Sequence, residues 1–132
     1  MARALALTLL ALFLASLAAA QPGPTAAMPG PSADALLSEG DALAAQGRID
    51  EARQRWNALL VQFAATPQAP GALLRLAQHE TSDLTGAIGL IDRLLLQCPQ
   101  APEVEQALAL RGEIHYLLGD YETAAQDYSR YL

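Results

Sequence analysis

The chain has 132 residues with eight arginines, no lysine, fourteen acidic residues and a net charge of −6. That length fits one domain, and the acidic balance argues against nucleic-acid binding, which needs a basic patch to release counterions from phosphates. The single cysteine, Cys98, closes no internal disulfide and builds no zinc site alone.

The N-terminus reads as an address. Met1-Ala2-Arg3 is positive, Leu5 to Leu14 is apolar, and Ala18-Ala19-Ala20 places small side chains before Gln21. This pattern predicts a secretory signal peptide over residues 1–20. The alternative is an uncleaved N-terminal anchor, since the apolar run Ala4 to Ala20 is at the short limit for crossing a bilayer. Both readings leave Arg3 inside and the rest of the chain outside the cytoplasm, in the periplasm. A lipoprotein would need a cysteine after Leu17-Ala18-Ala19, and Ala20 stands there. After cleavage no stable membrane anchor is expected. Residues 21–32 hold Pro22, Pro24, Pro29, Pro31, Gly23 and Gly30, which predicts an extended linker.

Residues 33–132 read as an internal repeat. Pro67-Gln68-Ala69-Pro70 recurs as Pro99-Gln100-Ala101-Pro102, 32 residues later, and the alanines Ala52, Ala87 and Ala124 recur at steps of 35 and 37. The spacing predicts three helix–turn–helix copies over about 33–66, 67–98 and 99–132. Ala52, Trp56, Leu59, Leu60 and Phe63 share one helix face, as do Leu84, Ala87, Ile88, Ile91, Leu94 and Leu95. Tyr121, Ala124, Ala125, Tyr128, Tyr131 and Leu132 do the same in the last copy, with Glu122, Gln126, Asp127 and Arg130 on its polar side. No stretch alternates with period two, so the fold class is all-α. Gly47 and Gly119 are placed to close helices in the left-handed conformation. Asp50 and Asp120 are placed to cap the helices that follow, and Pro67 and Pro99 to end the second helices.

The stretches from Gly40 through Gly47-Arg48-Ile49-Asp50-Glu51-Ala52 to Trp56, and from Gly112 through Gly119-Asp120-Tyr121 to Tyr128, resemble tetratricopeptide repeats. In that family a small residue on helix A (here Gly40, Ala77, Gly112) and one on helix B (Ala52, Ala87, Ala124) let the pair approach. A bulky residue four further on (Trp56, Ile91, Tyr128) fills the space between neighbours. The resemblance implies an α-α superhelix of about three repeats. The Phe63-to-Pro70 junction further resembles repeats of bacterial periplasmic proteins of the cell envelope, of the Tol–Pal-associated and outer-membrane assembly types. Three positions depart from the pattern. Glu39 precedes Gly40, which suits a first repeat with no upstream neighbour. Arg111 precedes Gly112, with Glu105 or Glu113 as candidate partners. Only ten residues separate Ala77 from Ala87, against twelve in the other copies, so the middle copy has a shortened first helix or turn.

The resemblance implies a concave groove lined by the first helices, where Leu37, Asp41, Ala44, Leu74, Gln78, Ala109, Glu113 and Tyr116 would face a protein or peptide with a basic and an apolar residue. Tyr128, Tyr131 and Leu132 form a second candidate face at the last helix, for docking a partner or a second copy. His79 and His115 occupy similar places in two copies, yet lack the convergent spacing of a metal site. Cys98 reads as a buried small hydrophobe, or else as a thiol for an intermolecular disulfide. There is no Gly-x-Ser-x-Gly, no phosphate-cradling loop and no His-Glu-x-x-His. The expectation is therefore an exported, non-enzymatic scaffold without cofactor or metal, binding a protein in envelope assembly or division. A structural homo-oligomer or docked accessory subunit is the alternative.

Overall fold

The computed structural model describes residues 30–132. The predicted signal peptide and residues 21–29 of the linker lie outside the described residues. Six helices follow in chain order: α1 Ala33–Ala45, α2 Ile49–Gln62, α3 Ala69–Gln78, α4 Leu84–Gln97, α5 Val104–Leu117 and α6 Tyr121–Tyr131. No strand occurs among the described residues, and the fold is all-α.

Local chemistry sets most helix ends. The Ser32 hydroxyl accepts from the Ala35 amide at 3.1 Å and opens α1. Gly47 and Gly119 have φ of 78° and 83°, a conformation that a Cβ would strain. Each lets the next amide reach back over the helix end, Arg48 N to Leu43 O and Asp120 N to His115 O, both 2.9 Å. Asp120 then caps α6, accepting from the Thr123 amide at 3.2 Å. Asp50 does not cap α2. That helix begins at Ile49 with Arg48 in the capping position, so Asp50 falls inside the first turn. The cause is register: Asp120 directly follows its glycine, whereas Arg48 and Ile49 separate Gly47 from Asp50. The Arg48 guanidinium pairs instead with Glu51 at 2.5 Å.

The structural register between the first two junctions is 35 residues. Thr66 N bonds Phe63 O as Ala101 N bonds Cys98 O, and Ala69 N bonds Thr66 O as Val104 N bonds Ala101 O, all at 3.1 Å. The register follows the alanines. The two Pro-Gln-Ala-Pro copies, 32 apart, occupy different places: Pro70 lies in the first turn of α3, while its counterpart Pro102 lies in the turn before α5, and Pro99 directly follows the Cys98 cap of α4. Pro67 sits in the junction, beyond the Phe63 cap that already ends α2.

Ala52, Ala87 and Ala124 are buried, as are Gly40, Ala77 and Gly112. Trp56 and Ile91 fill the space beside them at 1% and 0% exposure. A Cβ at Gly40 would stand inside the Trp56 indole, whereas one at Gly112 would meet the edge of the Tyr128 ring at 3.0 Å. Eight of the ten residues of α3 are buried, the signature of a helix enclosed on nearly every side. It packs against α2 and α4 and also touches α1 and α5, whereas the second helices of successive pairs do not approach one another. The first helices therefore lie on the inside of the curve and the second helices on the outside, a superhelical stack. Within the 35-residue register α3 stops four residues before α5 does, and the following loop, residues 79–83, is only two residues longer than its counterpart 118–120. The shortening falls on the helix.

The third pair departs most from expectation. Of its periodic apolar set only Ala124 is buried, and Asp127, placed by periodicity on the polar side, is 2% exposed. Arg111 on α5 draws it in: Nε donates to Asp127 Oδ2 at 2.9 Å and Nη2 to Oδ1 at 2.6 Å, while Nη1 donates to Asp92 of α4 at 2.7 Å. Neither Glu105 nor Glu113 is its partner; both point outward on α5. The Asp127 hydrogen bond, opposed by burial and reinforced by Asp92, holds Arg111 protonated more firmly than a free arginine. The equivalent positions 72 residues earlier are Glu39 and Arg55, an exposed pair of reversed sign at 3.4 Å. In the middle pair they are Leu76 and Leu90.

Two expectations follow for stability, read from urea unfolding followed by circular dichroism. Gly40→Ala destabilises the fold by about 1–3 kcal/mol through overpacking, while Gly112→Ala stays within about 1 kcal/mol of the parent, because Tyr128 is free to swing and alanine favours the helix. Arg111→Leu strands the buried Asp127 carboxylate and costs about 3–5 kcal/mol, whereas Arg111→Leu with Asp127→Leu, copying the middle pair, recovers most of that loss.

Candidate functional site

The inner face of the stack carries a trough along α3 and α5, and α1 forms one of its walls. At its centre is a hollow of about 350 Å³ lined by Asp41, Ala44, Trp56, Leu74, Arg75, Gln78, His79 and Gln106. Toward the N-terminus of α5 it continues into a smaller hollow bounded by Leu74, Arg75, Pro102, Glu103 and Gln106. Toward the other end, Gln78 is shared with an apolar notch of about 300 Å³. The α3 contribution comes from one inward stripe: Gln78 lies four residues after Leu74 and three after Arg75.

The structure gathers four of the expected groove residues, Asp41, Ala44, Leu74 and Gln78, around the central hollow. Glu113 joins Gln78 at the notch. Leu37 is half-buried near Gly71 and lines none of these hollows. Ala109 is half-buried on α5 and lines none of these hollows. Tyr116 is exposed and packs edge-on against Tyr121, ring centres 5.1 Å apart, away from the hollow. Arg75, Gln106 and Glu103 are trough residues that periodicity did not single out. Arg75 had a signal, as the only charged residue in α3.

The electrostatics follow from pairing. Arg75 donates to Asp41 at 2.5 Å and to the Gly71 carbonyl at 3.0 Å, so its charge is largely cancelled. Glu80, Glu103 and Glu113 have no cationic partner among the described residues. Glu103 Oε2 is buried without a hydrogen-bond donor. The trough is thus a mixed surface, with Leu74 and Trp56 set among polar side chains, whose unpaired charges are negative. His79 stacks on Trp56 at 5.3 Å, and its carbonyl accepts from the Arg53 guanidinium. His115 Nδ1 lies 3.5 Å from Asp120 at the far end of α5. The two histidines do not converge, and no cluster of metal-ligating side chains forms among the described residues. Cys98 is half-buried at the end of α4.

At the last helix Tyr128 is 38% exposed, Tyr131 44% and Leu132 98%. Tyr128 thus shows what Trp56 and Ile91, at the same repeat position, bury. Hydrogen bonds from Thr123, first its side chain and then its amide, hold the Asp120 carboxyl below the usual range, with His115 adding to them.

Stacked helix pairs with a small–small–bulky seam and an inner trough define a helical-repeat solenoid. The tetratricopeptide repeat family model matches residues 2–70, 37–103 and 100–132, and the chain belongs to that family. No curated protein matches it.

Because the fold favours ionised Asp120, its contribution is complete at neutral pH and is lost as pH falls through its depressed pKa. Acidification therefore frays the start of α6, seen as faster amide exchange at Thr123 and Ala124. Asp120→Ala shows that fast exchange already at neutral pH.

Proposed function

We propose that this chain is an exported, non-enzymatic scaffold whose inner trough holds a segment of a protein partner in assembly or division of the bacterial cell envelope. Its parts are a signal peptide over 1–20, a linker over 21–32 and the repeat domain from residue 33, acting in the periplasm. Membership of the family supports the protein-binding role, and the observation that carries the choice of surface is the continuous, net-negative trough along α3 and α5. Its mechanism is preorganisation: the rigid stack presents the trough surface without a folding cost on the scaffold side. The likeness of the Phe63-to-Pro70 junction to periplasmic envelope proteins supports the setting.

Two measurements test this. Fractionation should recover a periplasmic protein beginning at Gln21; a cytoplasmic protein retaining Met1 overturns the export reading. A photo-crosslinking side chain at Gln78 or Gln106 should capture the same partner from living cells, while one at the exposed outer residue Gln54 should not. Equal capture from all three positions overturns the trough as the working surface.

The exposure of Tyr128, Tyr131 and Leu132 favours a second reading, docking through α6. Under it, Tyr128→Glu or Leu132→Glu reduces the molar mass measured by light scattering, and an unchanged mass removes it.

A further inference from the structure

The shortened α3 does more than depart from the repeat. Because it ends at Gln78, the last turn of α5, with Ile114 and Leu117, extends past it with no continuation of α3 opposite it. The loop that follows α3 brings Thr81 across, and with Leu84, the first residue of α4, it forms the opposite wall. Ala77 and Leu110 complete an apolar notch, and Gln78, Glu80 and Glu113 edge it. Its volume of about 300 Å³ is at the small end of the roughly 300–1,000 Å³ of ligand sites, room for one large side chain. Leu117, in its wall, is 64% exposed. No cation lines it. Glu80 accepts at Oε1 from the Ser82 hydroxyl and the Asp83 amide, Oε2 has no donor among the described residues, and Glu113 is exposed and unpaired.

Resting on the trough reading above, we propose that this notch is a specificity pocket. It takes one large aliphatic or aromatic side chain of the bound segment, with an adjacent arginine or lysine of that segment on Glu113 and Glu80. Charge complementarity selects the occupant. The domain carries seven arginines against fourteen acids, and four of the seven are committed to ion pairs within the fold. The rim therefore attracts a basic neighbour and repels an acidic one. The chain's own linker does not meet this requirement, since residues 21–29 contain no arginine or lysine. The distance from Gly71 to Gln78 along α3 is about 11 Å at 1.5 Å per residue, so an extended segment crossing from Glu103 to the notch is short, about four residues.

The test is selection of randomised octapeptides by the full chain, followed by fluorescence anisotropy on the enriched peptides. Enriched peptides should pair a Leu, Ile, Met, Phe or Trp with a neighbouring Arg or Lys. Thr81→Trp fills the notch from an exposed loop position and should weaken binding about tenfold or more. Glu113→Lys should slow association and flatten its salt dependence. Both variants should keep the helical circular dichroism of the parent. Enriched peptides without that pair, or peptides insensitive to Thr81→Trp but weakened by Gln106→Lys, overturn the notch and leave the trough standing. Binding insensitive to all three changes overturns both. A protein that is dimeric until Thr81→Trp dissociates it assigns the notch to a second copy and overturns the proposal.

Discussion

A ten-residue helix can be enclosed on nearly every side only if its neighbours come unusually close, and they do so because the facing residues are small. The enclosure of α3 by α1, α2, α4 and α5 is the constraint on which the stack depends. Gly40 admits the Trp56 indole between α1 and α2, and Ala77 and Ala87 bring α3 against α4. With the first helices touching along the inside and the second helices held apart, curvature follows, and with it an inner surface that can be occupied. The trough is therefore a by-product of the packing that stabilises the domain, as expected where each repeat buries its face only against its neighbours.

Residue type and spacing made the helical class, the pairing of helices and the seam legible, because small and bulky positions recur at the period of the repeat. The 32-residue recurrence of Pro-Gln-Ala-Pro pointed to a different register from the alanines, and the alanines prevailed. Proline fits either a junction or a first helical turn, so it marks the neighbourhood of a boundary but not its phase. A buried alanine tolerates only one phase. Asp127 escaped periodicity because an acidic residue is normally assigned to water. What reversed that assignment was a single arginine sixteen residues earlier, and a helical wheel of α6 does not contain it.

The site was legible in part for a related reason. Asp41, Ala44, Leu74 and Gln78 follow from the inward stripe of the first helices. Tyr116 does not, because its equivalent 35 residues earlier falls past the end of α3, so the last turn of α5 has no α3 turn opposite it. The same shortening makes the notch, and sequence spacing gave notice of it only as a missing two residues. The charge balance of the trough was hidden as well: Asp41 and Arg75 are thirty-four residues apart, and their mutual neutralisation leaves the glutamates to set the sign.

The three seams differ in a way that bears on how the chain finds its register. Glu39 faces Arg55, Leu76 and Leu90 stand at the same places in the middle pair, and Arg111 faces Asp127. A helix that docked one or two repeats out of step would set acid against acid, arginine against arginine, or a charge against leucine. Alternation of chemistry along otherwise similar units works as a set of keyed joints: it marks each hairpin for its own mate and disfavours exchange between copies while the chain is folding.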